Sequence, residues 1–139
     1  MSKRIAAALL STAAALGLGS LALAAPASAA DRDGVCNTGE VCYFFNSNFG
    51  GSRSDFFGND ANLQDNNFLS SGSGQGQTVK NNAAGGRNLD ATYNVTVWFN
   101  SNYNNGTYTG RSDTLPTNYG DPQFDNVYNE NASHSWWRS

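Results

Sequence analysis

Two short stretches of the chain concentrate oxygen donors: Asn66-Asn67-Phe68-Leu69-Ser70-Ser71 and Asn129-Glu130-Asn131-Ala132-Ser133-His134. Amide, hydroxyl and backbone carbonyl oxygens are the hard donors that calcium gathers in sets of about six to eight. Asn66, Asn67, Ser70 and Ser71 make one candidate set, and Asn129, Glu130 and Ser133 make a second. Neutral donors bind weakly, so the affinity expected is the micromolar-to-millimolar kind found in extracellular modules. The same residue types also form turns, since their side chains satisfy neighbouring backbone groups, and that alternative needs no ion.

Catalysis has little to work with. His134 is the only imidazole, and no Gly-x-Ser-x-Gly, His-Glu-x-x-His or phosphate-cradling glycine loop occurs. Asp55, Asp60, Asp65, Asp90, Asp113 and Asp125 are scattered through turn-rich stretches, where a solvated carboxylate is the ordinary explanation. The chain is therefore expected not to be an enzyme.

These groups must be held by some scaffold, and the N-terminus says where it folds. Lys3-Arg4, the Ala/Leu-rich run from Ile5 to Ala25 and the small residues Pro26-Ala27-Ser28-Ala29-Ala30 have the order of a secretory signal. Residues 1–30 are read as that signal and residues 31–139 as the exported domain. Export to an oxidising compartment predicts that Cys36 and Cys42, the only cysteines, pair with each other. Cys-x5-Cys with one distant His134 is not a zinc spacing. Without residues 1–30 the chain carries 6 basic and 11 acidic side chains, a net of −5, so nucleic acid and anionic membrane surfaces are not expected partners. A monomer is the default.

The exported part is rich in Asn (19 of them), Gly, Ser and aromatics and poor in Leu, Met, Glu and Lys, a mixture for strands and turns. Alternation in Val41-Cys42-Tyr43-Phe44-Phe45 and Val95-Thr96-Val97-Trp98-Phe99 places Val41, Tyr43, Phe45, Val95, Val97 and Phe99 on buried faces. The segments opened by these strands repeat at an offset of 54 residues. Two similar β units, each with one apolar face to hide, predict a two-sheet sandwich. Between them, Ser70 to Asn88 reads as a loop, a brief strand near Gln77 to Asn81, and a second loop.

Each repeat also places an aromatic five residues before a second aromatic and then a glycine: Phe44-x4-Phe49-x-Gly51 and Trp98-x4-Tyr103-x-x-Gly106. A folded hairpin uses the glycine for positive φ, and the missing side chain lets the first ring lie on the turn. This hairpin followed by Asn66-Asn67-x-x-Ser70-Ser71 resembles the paired signatures of a βγ-crystallin Greek key. The resemblance implies an all-β, βγ-crystallin-like two-Greek-key sandwich in a single domain.

More narrowly, the signal, Cys36-x5-Cys42, Phe45-Asn46-Ser47-Asn48-Phe49-Gly50-Gly51 and Val79-Lys80-Asn81-Asn82 are similar to bacterial secreted proteins grouped as a peptidase inhibitor family. That likeness implies a secreted inhibitor of metalloproteinases that presents a substrate-like loop to a secreted protease. Inhibitory members hold this loop with another disulfide, and no cysteine follows Cys42, so Gly85 to Asn94 is a poor candidate and the loop is left unassigned. The competing expectation is a calcium-binding extracellular module without a protease target. A third reading gives the aromatics Trp98, Tyr103, Tyr108, Tyr119, Trp136 and Trp137 to sugar stacking, against the commoner fate of burial.

Overall fold

The computed structural model describes residues 31–138, so the expected signal over residues 1–30 lies outside the described residues. Alternating β-branched and aromatic residues form β1 (Val41–Asn46), which turns back through a tight hairpin into β2 (Gly50–Phe56). The repeat predicted at β1 appears as β4 (Tyr93–Trp98), which turns into β5 (Ser112–Leu115). The remaining strands are β3 (Gly85–Asn88), β6 (Gly120–Asp121) and β7 (Ser133–Arg138). They form two antiparallel sheets, ordered β2-β1-β3-β6 and β5-β4-β7.

The halves are related by a pseudo-twofold that can be read from the pairings. Tyr43 faces Gly86 across β1 and β3, and its repeat partner Val97 faces His134 across β4 and β7. Each half lends chain to the other's sheet. β6, from the second half, pairs with β3, and Asp60, from the first half, bridges to His134. This crossing makes the two units Greek keys sharing one interior.

That interior holds Val41, Tyr43, Val95 and Val97, all fully buried as the alternation requires, together with Phe56, Leu63, Phe68, Val79, Leu115, Phe124 and Val127. Phe45 and Phe99 pack against its margin and stay half-buried. Cys36 and Cys42 are joined in a disulfide, with Cα atoms 5.9 Å apart, immediately before β1.

Two expectations between the halves need correction. The brief strand near Gln77 to Asn81 is reduced to one bridge, Asn67 to Thr78. The Thr78 hydroxyl donates to the Gln64 carbonyl at 3.1 Å and the Asn82 amide donates to the Thr78 carbonyl at 3.1 Å, so turns satisfy this backbone. The glycine pair at 85–86, read as loop, instead opens the central strand β3 and is buried. Glycine is needed there for close approach: a Cβ on Gly85 would sit 2.6 Å from the Asp121 carbonyl oxygen, and one on Gly86 would sit 2.9 Å from the Phe124 ring.

Gly85→Ala is accordingly expected to push β6 off β3 and cost about 1–3 kcal/mol, the range for overpacking. Urea unfolding checks it; an unchanged midpoint would mean that the β3–β6 contact yields without cost.

Candidate functional site

The first oxygen cluster lies beside the edge of β2. The Asn66 amide donates to the carboxylates of Asp60 (2.7 Å) and Asp65 (3.0 Å), and its carbonyl accepts the Val79 N–H at 2.8 Å. The Asn67 carbonyl accepts from the Ser54 hydroxyl (3.1 Å) and the Arg32 guanidinium (3.2 Å). The Ser70 hydroxyl accepts the Arg53 N–H at 2.8 Å, the Ser70 carbonyl accepts the Ser52 hydroxyl, and Ser71 is exposed. These groups hold the loop 66–73 along β2.

The second cluster sits where the halves cross. Glu130 forms an ion pair with Arg111. The buried Ser133 hydroxyl donates to the Asn100 carbonyl at 2.7 Å and accepts the Tyr103 N–H at 3.0 Å. Asn129 has φ 52°. The pseudo-twofold mate of this stretch is not Asn66–Ser71. The strand registers match residues 129–134 to Asn81-Asn82-Ala83-Ala84-Gly85-Gly86. Asn81 likewise has φ 61°, and the two stretches exchange bonds: Asn81 N–H to the Asn131 carbonyl at 2.7 Å, Asn129 N–H to the Ala83 carbonyl at 2.9 Å. A cleft of about 280 Å³ beside Glu130 is lined by Lys80, whose ammonium donates to the Ser101 hydroxyl at 3.0 Å. Cationic groups therefore already stand next to the cluster's one carboxylate.

Counting to the glycine concealed how much the two hairpins differ. Phe44 pairs with Arg53, nine positions on, whereas its mate Trp98 pairs with Ser112, fourteen positions on. The longer connection starts with a left-handed turn, Ser101–Asn105, in which Asn102, Tyr103 and Asn104 all have φ near +55°, and Gly106 follows at φ 78°. Asparagine and glycine tolerate this region best, which is the local reason for the Asn-rich run.

From Asn105 to Arg111 every residue is exposed, yet the segment is braced along its length. Asn104 points inward and is 6% exposed. Its amide oxygen accepts the Asn100 N–H at 2.8 Å, and its NH2 donates to the carbonyls of Thr109 (2.9 Å) and Arg111 (3.2 Å). Tyr108 stacks on Tyr103 with centroids 5.0 Å apart and meets the edge of Trp98 at 6.2 Å. Arg111 closes the segment by donating to the Asn126 carbonyl at 2.6 Å while lying 4.3 Å over the Phe99 ring. By contrast, Gly85–Asn88 is an interior strand and cannot protrude. Ala91 to Tyr93 are exposed but end in a tight turn, with the Thr92 and Tyr93 N–H groups both donating to Asp90 at 2.6 Å.

Residues 29–114, which take in the first Greek key and the whole braced hairpin, match peptidase inhibitor family I36. The chain belongs to this family. It is thus a peptidase inhibitor and not an enzyme, and its partner is a protease. No curated sequence matches this inhibitor. A solved structure from a study of the evolution of the eye lens βγ-crystallin domain fold matches it with a TM-score of 0.54 at 13% identity, over 76% of this chain and 95% of that one. That likeness shows the fold.

The inhibitor's one imidazole belongs to its core. His134 is fully buried against Tyr43 and Phe56, with ring centroids 5.6 and 5.1 Å away, and its Nε2 lies 2.9 Å from the Gly58 carbonyl. Its Nδ1 and the Tyr43 hydroxyl are buried without a hydrogen-bond partner among the described residues. Burial pushes the imidazole down to about 4, against a smaller opposing pull from Asp60, and the same burial raises Tyr43 well above its usual value. The folded state holds His134 neutral, so the unfolded chain binds the extra proton between the ordinary value near 6.5 and the depressed one.

Stability is therefore expected to be complete above neutrality and to fall by about 3 kcal/mol as pH drops through this window. Urea midpoints measured across that range check it. His134→Gln should flatten the histidine part of the slope; an equal slope in that variant would move the effect to the carboxylates.

Proposed function

We propose that this inhibitor acts outside the cell, as a monomer, on a secreted metalloproteinase, and that it does so by seating the Asn105–Arg111 segment in the protease cleft. The observation behind this reading is the extra length of the second hairpin over its pseudo-twofold mate, all of it exposed and pinned from below by Asn104. A bait must be ordered before binding, since ordering on binding weakens affinity. Asn104, the stacked tyrosines and Arg111 do here what a second disulfide would do. Tyr108 is the large side chain offered at the tip, 53% exposed. Its φ of 53° departs from the extended backbone that proteases align by strand-like hydrogen bonds. Such a loop fills a cleft while presenting its peptide bonds poorly for cleavage, so it departs from a strict substrate mimic.

For the two oxygen-rich clusters we propose an architectural role. The carbonyls of Asn66 and Asn67, the hydroxyls of Ser70 and Ser133 and the carboxylate of Glu130 already have donors within the chain, and Asn129 donates its N–H across the crossing. At either place these bonds tie the chain to itself.

Mixing the protein with zinc metalloproteases and with serine proteases should give stoichiometric inhibition confined to the metalloprotease panel. Tyr108→Ala should weaken it by about 2 kcal/mol, roughly thirtyfold. Asn104→Ala should convert the protein into a substrate cut within 105–111. Full inhibition by both variants would remove this loop from the interface, and inhibition of serine proteases alone would overturn the target class.

Melting in millimolar calcium and in chelator should give the same midpoint. A rise with calcium would return Asn66, Asn67, Ser70, Ser71, Asn129, Glu130 and Ser133 to ion binding.

A further inference from the structure

The outward face of the sheet β5-β4-β7 carries a groove of about 590 Å³ whose walls include Asn59, Thr96, Trp98, Tyr108, Ser135 and Trp137. Its rings are fixed by the sheet beneath. The Trp137 indole N–H donates to the Thr96 hydroxyl at 2.9 Å, and the Trp98 indole N–H donates to the Ser135 hydroxyl at 2.9 Å. Trp137, with its indole N–H anchored, remains 44% exposed, and Tyr108, stacked on Tyr103, remains 53% exposed. Asn59 adds an exposed amide to the groove, whereas the hydroxyls of Thr96 and Ser135 are buried beneath the rings that they anchor. No lining residue is charged, although the chain as a whole is acidic.

The pseudo-twofold supplies an internal comparison. At the matching places on the outer face of the other sheet, Trp137 is replaced by Leu89, Ser135 by Arg87, Thr96 by the disulfide-bonded Cys42, and Trp98 by Phe44. The same scaffold is thus folded with a cationic, non-indole surface at the corresponding face. The indoles and hydroxyls are not demanded by the architecture.

We infer that this groove binds an uncharged glycan chain whose sugar rings carry equatorial hydroxyls. Such pyranoses turn flat C–H faces outward, which lie on aromatic rings, while their rim hydroxyls reach amide and hydroxyl groups. The absence of formal charge in the groove selects neutral sugars over acidic ones, and rings held by the sheet reduce the ordering cost of binding. The groove shares Tyr108 with the segment proposed to meet the protease, but Trp137 lies outside Asn105–Arg111, so a change at Trp137 separates the two readings.

Cellohexaose and chitohexaose, titrated against the intact protein and followed by tryptophan fluorescence, test it. Saturable binding of at least one is expected. Trp137→Leu, which copies the other sheet, should weaken binding about tenfold or more, whereas Trp137→Tyr should retain most of it. Leu89→Ala should leave it unchanged, and Trp137→Leu should melt near the parent and inhibit protease as the parent does. No saturation with either oligosaccharide, equal binding by Trp137→Leu, or binding of sulfated polyanions in place of both neutral probes would overturn the assignment.

Discussion

The exchange of backbone hydrogen bonds between the two halves is the constraint on which the rest of the molecule depends. Where the chains cross, Ala83 and Ala84 of one half and Asn131 and Ala132 of the other are buried, and buried backbone groups must find partners. They find them in each other: Asn81 donates to Asn131, Asn129 to Ala83, Phe124 to Ala84 and Leu63 to Ala132. The fully buried Asn131 side chain completes the set by accepting from the Ala83 N–H at 3.0 Å and donating to the Val79 carbonyl at 3.0 Å. This fixes the halves in register, and with them the positions of the outer faces.

Much of the frame was legible in the residues. Alternation located β1 and β4 because one face of each lies on the shared apolar interior, and the 54-residue echo gave the pseudo-twofold because both halves solve the same burial problem. The pairing of the cysteines was readable from their number and the oxidising compartment that the N-terminus implies. The crossing was harder. In a chain so rich in asparagine, Asn66-Asn67 and Asn81-Asn82 look alike, and only the pairing of Gly86 with Tyr43 shows which is the mate of Asn129-Glu130. Gly85-Gly86 read as slack because sequence does not distinguish a glycine that bends from one that makes room. The length of the second hairpin was understated because a glycine marks a turn, not the end of a connection.

Near-symmetry also explains where function is free to sit. Residues on the shared interior are tied to their mates: Gly86 leaves space that Phe124 fills, while His134 occupies the corresponding place against Tyr43 and Phe56. Such positions cannot vary without a compensating change opposite. The hairpin tips and the outer sheet faces carry no such obligation. There the halves diverge, with a short turn against a long braced one, and guanidinium and leucine against indole and hydroxyl.

Because each sheet takes chain from the other half, neither layer is completed by its own half, although the β1–β2 hairpin is local. The bridge between Asp60 and His134 and the pairing of β3 with β6 join residues far apart in sequence. Loop-closure entropy must be met before those contacts give anything back. Neither layer can close until the piece lent by the other half has emerged, so the two halves are expected to fold together and not one after the other.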